Sequence, residues 1–318
     1  MTLSASEVLQ IAESTGFNPG MIEKVLHLID LLNGFNAHPY LKGKCVLKGG
    51  AALNLFIFKL PRLSVDIDLN YIGALGRDEM LEERPKIEQA MHAVFSREGF
   101  TVKRAPREHA GGKWLLTYQS YTGQSGNIEV DLNFMFRLPL WNVTKLQSNI
   151  VGNRQAITIP VLDPHELAAG KLAALVARSQ ARDLFDSFHI LNSLNLDDDL
   201  LRIGFVVYGG MNRKDWRTVA IDSVSFDMKD FANRLLPTIH ANTIEDTTLA
   251  KDYGTRLVEE CRRSMTRILP FTEAETEFLD LLLDKGEIAP PLLTKDPKLQ
   301  KRIKQQPLLE WKALNVRR

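Results

Sequence analysis

The spacing of apolar and polar positions predicts a change of architecture along the chain. Apolar residues repeat at helical intervals over 5–34, where Asn18-Pro19-Gly20 interrupts the run. From there to residue 160, the pattern predicts short strands separated by glycines and prolines, together with two helices. The predicted strands cover 44–48, 64–69, 101–104, 113–120, 127–136 and 157–160, and the predicted helices cover 51–60 and 78–98.

After Pro164 the helical spacing returns, over 165–178, over 183–194 and through most of 225–318. A short apolar run, 205–208, predicts one isolated strand. The change near residue 160 predicts two domains, 1–160 with the strands and 161–318 mainly helical. We therefore expect an α/β (α+β) protein in which a mixed sheet with flanking helices precedes a helical C-terminal domain.

Composition narrows the class of protein. The chain has 318 residues, 44% hydrophobic and 25% charged, with a formal net charge of +1. These values exclude a disordered charged tail, a collagen-like chain and a coiled-coil rod. The two cysteines form no CxxC pair, and the sequence has neither a signal-peptide pattern nor an apolar run of about 18 residues. We expect a cytoplasmic protein without membrane association.

One block of sequence carries candidate chemistry. A strand ending at Lys48 leads into Gly49-Gly50 and then a helix, an arrangement that lets backbone N–H groups approach a phosphate. Downstream, Asp66 and Asp68 alternate along the next predicted strand and share one of its faces. Two adjacent carboxylates repel each other unless a cation lies between them, and oxygen ligands suit Mg²⁺.

A third carboxylate is expected from the strand over 127–136. Glu129, Asp131 and Asn133 alternate there and share one face. Carboxylates gathered on a sheet beside a phosphate-binding turn are what two-metal phosphoryl or nucleotidyl transfer needs. The alternative is structural, because acids often line the solvent face of a strand, Gly-Gly often marks a plain turn, and Lys48 then has only a structural role.

The segments LKGGAALNLF, 47–56, and RLSVDIDL, 62–69, resemble the AbiEii/MenT group of bacterial toxins in the DNA polymerase β-like nucleotidyltransferase superfamily. The group also has a Lys-Leu helix that ends in Arg-Asp-x-x-Asp, which KLAALVARSQARDLFD, 171–186, matches. The resemblance covers about 40–190. It implies a nucleotidyltransferase-type sheet and a toxin of a toxin–antitoxin or phage-defence system.

The resemblance assigns roles residue by residue. Three carboxylates would hold the metal, with Asp131 as ligand or general base. The turn and the Arg-x-Ser segment would line the NTP triphosphate. Lys171 would contact phosphate or neutralise the transition state, and Asp183 would complete the downstream motif. The metal residues are Asp66, Asp68 and Asp131, and the nucleotide-binding residues are Gly49, Gly50, Arg62 and Ser64.

The implied reaction is Mg²⁺-dependent transfer of a nucleoside monophosphate from an NTP, with the 3′ end of tRNA as the first acceptor. The implied partner is a cognate antitoxin that is a DNA-binding regulator. Two alternatives stay open. The acceptor could be a protein or a small molecule, or a phosphoryl group could be transferred. The chain could also bind nucleotide or RNA without turnover, because Ala51 stands where many members carry a hydroxyl.

Two basic features could contact phosphate. On an unbroken helix, Lys171, Arg178 and Arg182 would form one stripe, unless Arg182 pairs with Asp186 four residues on. The segment 295–318 holds eight Lys or Arg against two acids, together with Trp311. A basic segment with an aromatic side chain suits a nucleic acid, although a solvated tail is the plainer interpretation.

Overall fold

The computed structural model describes residues 3–106, 110–243 and 247–317. The chain forms two compact units, each built from more than one segment. The first comprises Met1–Arg137, Val143–Leu162 and Pro237–Thr243, and the second Leu138–Asn142, Asp163–Leu236 and Ile244–Arg318. The predicted division into functional domains 1–160 and 161–318 stays a prediction.

The first unit opens with two helices, α1 (Ala5–Thr15) and α2 (Pro19–Ala37). Asn18 caps α2 by accepting hydrogen bonds from two backbone N–H groups, which explains the interruption seen in the apolar pattern. A short helix, α3 (Gly49–Ala51), continues as a π-helical turn to Ile57. A long helix, α4 (Arg77–Arg97), matches the predicted 78–98 to within one residue at each end.

A seven-stranded mixed sheet forms the rest of the first unit, in the order β3-β4-β5-β2-β1-β7-β6. The pairs β2–β5 and β1–β7 are parallel, and the other neighbours are antiparallel. The strands are β1 (Cys45–Lys48), β2 (Ile67–Tyr71), β3 (Thr101–Arg104), β4 (Gly111–Gln119), β5 (Ser125–Asn133), β6 (Thr144–Leu146) and β7 (Ile159–Val161).

The core of the first unit explains why these segments are strands. Val46 and Leu47 on β1, and Val130 on β5, are completely buried. Phe95 of α4 packs against Trp114 of β4 with ring centroids 5.9 Å apart. Such apolar strands cannot remain in water, so they pair at the centre of a sheet covered by helices.

The second unit is helical. Its longer helices are α5 (Pro164–Arg178), α6 (Ala181–Ser193), α7 (Asp198–Gly210), α9 (Thr247–Met265), α10 (Glu273–Lys285), α11 (Pro297–Lys304) and α12 (Pro307–Val316). The short α8 (Met228–Asp230) continues as a π-helical turn to Leu235. Within the described part of the chain, no helix is both long enough and apolar enough to cross a membrane.

The predicted fold class is confirmed, but three local expectations are wrong. The run 205–208 belongs to α7, because Asp197 caps that helix and Phe205, Val206 and Val207 are buried side by side on it. The predicted strand 64–69 begins only at Ile67. The stretch 127–136 ends at Asn133.

Two short segments each belong to the unit other than that of their neighbours along the chain. Residues 138–142 belong to the second unit, where Leu140 N–H donates to the Glu166 carboxylate at 2.9 Å. Residues 237–243 belong to the first unit, where Leu63 N–H donates to Thr238 C=O at 2.7 Å and Ala241 N–H donates to Gly16 C=O at 3.0 Å. Such pairings join distant parts of the chain, so local periodicity cannot reveal them.

Candidate active site

Two of the predicted metal carboxylates lie opposite each other on the sheet. Because β2 and β5 are parallel neighbours, Asp68 pairs in register with Asp131. Register partners project from the same face of a sheet, and both side chains are half-buried there. Asp66 lies just before β2 and is close enough to raise the pKa of Lys113 electrostatically. The structure therefore pairs Asp68 with Asp131 on one face of the sheet, and Asp66 lies on the segment that leads into β2.

The Gly49-Gly50 turn packs directly against this acidic face. β1 is antiparallel to β2, so Lys48 pairs in register with Asp68. Gly49 has φ of +71°, and a Cβ there would collide with the Asp68 carboxylate oxygen Oδ2. Glycine is therefore required twice, for the left-handed backbone and for the close approach to the carboxylate.

The Arg-x-Ser segment lies on the other side of this turn. A Cβ on Gly50 would lie 2.8 Å from Ser64 Oγ and 2.9 Å from Arg62 Nη2. Arg62 is only 2% exposed, and its Nη1 donates to Leu63 C=O at 2.8 Å. Ser64 therefore presents a hydroxyl beside the turn, whereas Ala51 is completely buried. A hydroxyl is thus present near the Gly-Gly turn although position 51 has none.

Two lysines belong to this surface, Lys113, which the sequence did not single out, and Lys48, for which it favoured a structural role. Lys113 on β4 pairs in register with Asp131, and its Nζ lies 2.8 Å from Glu129 Oε2. Lys48 is close enough to Asp131 to act on that carboxyl electrostatically. In the sequence, alternation along 113–120 shows only which residues share a strand face with Lys113. The pairing of β4 with β5 is what places Lys113 beside Asp131.

Burial raises the pKa of Asp131, and the negative charges of Asp68 and Glu129 raise it further. Lys48 and Lys113 act in the opposite direction without reversing the shift. Burial is therefore the main cause of the raised pKa, and it disfavours the ionised carboxylate. A cation bound by the carboxylates would favour the ionised form, and their oxygens are ligands that suit Mg²⁺.

The donor set is incomplete as a metal centre by itself. Across residues 3–106, 110–243 and 247–317, no three His, Cys, Asp or Glu side chains converge as metal ligands do. Asn133 adds no ligand, because its Oδ1 accepts the N–H groups of Met135 and Phe136 and ends β5. The structure thus brings a carboxylate pair to one face, and a metal held by Asp66, Asp68 and Asp131 together stays a prediction.

The downstream motif forms a buried ion-pair cluster in the second unit. Lys171 Nζ lies 2.9 Å from Asp183 Oδ1 and 3.0 Å from Asp186 Oδ2, and all three side chains are buried. Arg178 Nε lies 2.6 Å from Asp183 Oδ2, with its side chain 53% exposed. Burial alone would raise the pKa of Asp183, but the charges of Lys171 and Arg178 lower it. The roles assigned to Lys171 and Asp183 in catalysis stay predictions.

The prediction that Lys171, Arg178 and Arg182 form one basic stripe on an unbroken helix is wrong. The helix α5 ends at Arg178, and Ser179 takes a left-handed φ of +52° before α6 begins at Ala181. The break turns the chain so that Lys171 and Arg178 both reach Asp183 instead of forming a stripe with Arg182. The acid at position 186 pairs with Lys171.

Comparison with known proteins adds a family and a fold. A family model described as nucleotidyl transferase AbiEii toxin, type IV toxin–antitoxin system, matches residues 30–264, which is more than half of the chain. No curated protein matches the chain. Among solved structures, the chain is similar to MenT4, a nucleotidyltransferase toxin from Mycobacterium tuberculosis H37Rv. That similarity has a TM-score of 0.61 and 15% identity over 99% of this chain and 100% of that chain, and it shows a shared fold.

Proposed function

The chain belongs to the AbiEii family of nucleotidyltransferase toxins of type IV toxin–antitoxin systems, and we propose that it transfers a nucleoside monophosphate from an NTP to the 3′ end of a tRNA. The observation that carries the proposal is the register pairing of Asp68 with Asp131 beside the Gly49-Gly50 turn. The tRNA acceptor follows from the family resemblance. A cytoplasmic location fits both substrates.

The bond changes are those of nucleotidyl transfer. The oxygen of the acceptor 3′-hydroxyl attacks the α-phosphorus of the NTP, and the bond from that phosphorus to the bridging oxygen breaks. Pyrophosphate leaves with the electron pair of that bond. Asp131 takes the hydroxyl proton, a role suited to a carboxyl whose pKa burial and neighbouring acids raise.

The other residues of the site bind and orient the triphosphate. Backbone N–H groups of Gly49 and Gly50 approach its oxygens, and the Ser64 hydroxyl lies beside that turn. The ammonium of Lys48 adds positive charge next to Asp68. Mg²⁺ held by Asp66, Asp68 and Asp131 would neutralise phosphate charge and lower the pKa of the acceptor hydroxyl.

The family implies an antitoxin partner and an NTP substrate. We propose that the antitoxin is a DNA-binding regulator. The acceptor alternatives, a protein or a small molecule, use the same carboxylates and differ only in what receives the nucleotide. A binding module without turnover is less well supported, because Ser64 supplies a hydroxyl beside the turn although position 51 has none.

Label transfer tests the proposal. Purified protein would be incubated with each α-³²P-NTP and either total tRNA or cell protein, with MgCl₂ or with EDTA. The Asp68→Asn variant tests the carboxylate pair. Glu129→Gln is the matched control, since it removes a neighbouring acid of the same face that pairs with Lys113.

The expected result is label on tRNA that requires MgCl₂, disappears in Asp68→Asn and persists in Glu129→Gln. Label on protein would replace the acceptor and keep the reaction. An absence of label with every NTP and acceptor, despite measurable NTP binding, would contradict the proposed activity and favour the binding module.

A further inference from the structure

The C-terminal segment of the second unit presents a row of lysines that its own packing does not use. In α11, Leu299 and Ile303 are buried, and the opposite side carries Lys298, Lys301 and Lys304, all exposed. Positions separated by three residues follow one side of a helix. Within residues 3–106, 110–243 and 247–317, none of these three lysines has an ion-pair partner. We call these three residues the lysine row.

Two other cations of this segment, Arg302 and Lys312, have structural partners. Arg302 donates from Nη1 to Leu140 C=O at 3.1 Å and from Nη2 to Asn142 Oδ1 at 3.0 Å. Lys312 Nζ donates to Asn212 C=O at 2.6 Å, and burial lowers the pKa of Lys312. Arg302 and Lys312 therefore bind backbone of the second unit, whereas the lysine row faces outward. Lys295 and Arg317 are also exposed. Arg318 lies outside the described residues.

The next helix adds an exposed aromatic side chain. Leu309 and Ala313 of α12 are buried, whereas Trp311 is 60% exposed and Leu314 is 56% exposed. Two of the other tryptophans, Trp114 and Trp216, are fully buried. A large exposed indole close in sequence to a row of cations combines a stacking surface with charge, as single-stranded nucleic-acid sites do.

We propose that the lysine row and Trp311 form a surface that binds the phosphate backbone and an unpaired base of an RNA. This inference rests on the proposed function, since it names where the chain grips the RNA that it would modify. RNA fits better than an acidic protein for two reasons. Lysines at regular intervals match the repeating phosphates of one strand, and a flat exposed indole matches the face of a base.

A tRNA-binding measurement tests this surface. Fluorescence anisotropy would report the binding of labelled bulk tRNA to the full chain in the absence of NTP. The variant K298Q/K301Q/K304Q removes the lysine row. The matched control is K229Q/K251Q/K285Q, which removes the same charge from exposed lysines elsewhere in the second unit. Melting curves of both variants check that they fold.

We expect the lysine-row variant to weaken tRNA binding about tenfold near 0.1 M salt. The slope of log Kd against log salt should fall by about 2 to 3, one phosphate contact per lysine. The control variant should bind within about twofold of the original chain. Trp311→Ala should weaken binding several-fold, Trp311→Phe should retain most of it, and tRNA should quench tryptophan fluorescence less in Trp311→Phe.

Three outcomes would overturn the surface. The first is equal weakening of tRNA binding in both triple variants, and the second is unchanged tRNA binding in K298Q/K301Q/K304Q. The third is displacement of tRNA by polyglutamate, if polyglutamate binding itself depends on the lysine row. That result would indicate an acidic protein partner. The two proposals fail separately. If the chain labels tRNA but the lysine-row variant binds tRNA normally, only the surface is refuted. If the surface binds tRNA but no label is transferred, only the proposed reaction is refuted.

Discussion

Asp183 is buried and Asp131 is half-buried, and the charges around these two aspartates have different effects. Removal from water disfavours the ionised form of both, so burial alone would raise the pKa of each. Around Asp183, the ammonium of Lys171 and the guanidinium of Arg178 reverse this effect and lower the pKa. The second unit thus neutralises this carboxylate with its own cations.

The charges around Asp131 in the first unit do not reverse the effect of burial. Lys48 and Lys113 favour its ionised form, Asp68 and Glu129 oppose them, and burial keeps the pKa of Asp131 raised. A carboxyl whose ionised form is disfavoured in the free protein would gain from a bound cation, which favours that form. The comparison separates Asp183, whose ionised form its neighbours stabilise, from Asp131, whose ionised form burial disfavours. The catalytic roles of Lys171 and Asp183 stay predictions.

The largest effect should come from removing Asp131. Asp131→Asn should lower the single-turnover rate of nucleotide transfer by roughly 10³-fold, because in the proposed reaction it removes both a metal ligand and the proton acceptor. Its melting temperature should not fall, since burial disfavours the ionised carboxylate that the neutral amide replaces. A variant that unfolds, or that keeps the original rate, would break the comparison.

Breaking the compensated cluster should instead affect stability. Lys171→Met leaves Asp186 buried without the ammonium 3.0 Å away, and loss of one partner from a buried pair costs about 3–5 kcal/mol. Urea denaturation measures this loss. Arg178→Met is the control, because its side chain is 53% exposed and exposed pairs contribute about 0–1 kcal/mol.

The double variant Lys171→Met/Asp186→Leu separates packing from charge. It removes the cation together with one of its buried partners, so it should recover part of the stability that Lys171→Met loses. If Lys171→Met and Arg178→Met lost the same unfolding free energy, burial of the ion pairs would not determine how much they stabilise the fold.

A smaller effect is expected at the hydroxyl beside the glycine turn. Ser64→Ala should raise the KM for NTP about 10- to 100-fold with little change in kcat, the size expected for one hydrogen bond to a charged phosphate, about 1.5–3 kcal/mol. Steady-state kinetics measure the two constants separately. Ser64→Thr keeps a hydroxyl and should retain most of the affinity, and an unchanged KM in Ser64→Ala would remove Ser64 from the nucleotide site.

The smallest effect is the pH dependence of stability. The lowered pKa of Asp183 stabilises the fold above the ordinary aspartate range near 3.8, and this contribution is lost as pH falls through the folded-state pKa. The raised pKa of Asp131 has the opposite sign, so ionising it costs stability as pH rises from 3.8 through its folded-state pKa.

Unfolding free energies between pH 3 and pH 7 should therefore move in opposite directions in the two variants. Relative to the original chain, Asp183→Asn should lose stability towards pH 7, and Asp131→Asn should gain it. If the unfolding free energies of the two variants changed with pH in the same direction, the pKa values of Asp183 and Asp131 would not be shifted in opposite directions.

The sequence by itself determined the features that depend on local order. The Gly49-Gly50 turn follows a strand as predicted. Alternation also placed Asp68 on the next strand, whereas Asp66 lies just before that strand. Helical spacing found α2 and α4 to within a few residues. These features were readable because side-chain period and turn residues act over a few positions of chain.

Tertiary structure alone decided which of these features meet. The parallel pairing of β2 with β5 sets Asp68 opposite Asp131, and the antiparallel pairing of β4 with β5 brings Lys113 to the same pair. The left-handed turn at Ser179 directs Lys171 to Asp183. The physical reason is that periodicity specifies a face and not a neighbour, and strand neighbours are chosen by burial and backbone hydrogen bonding between segments distant in sequence.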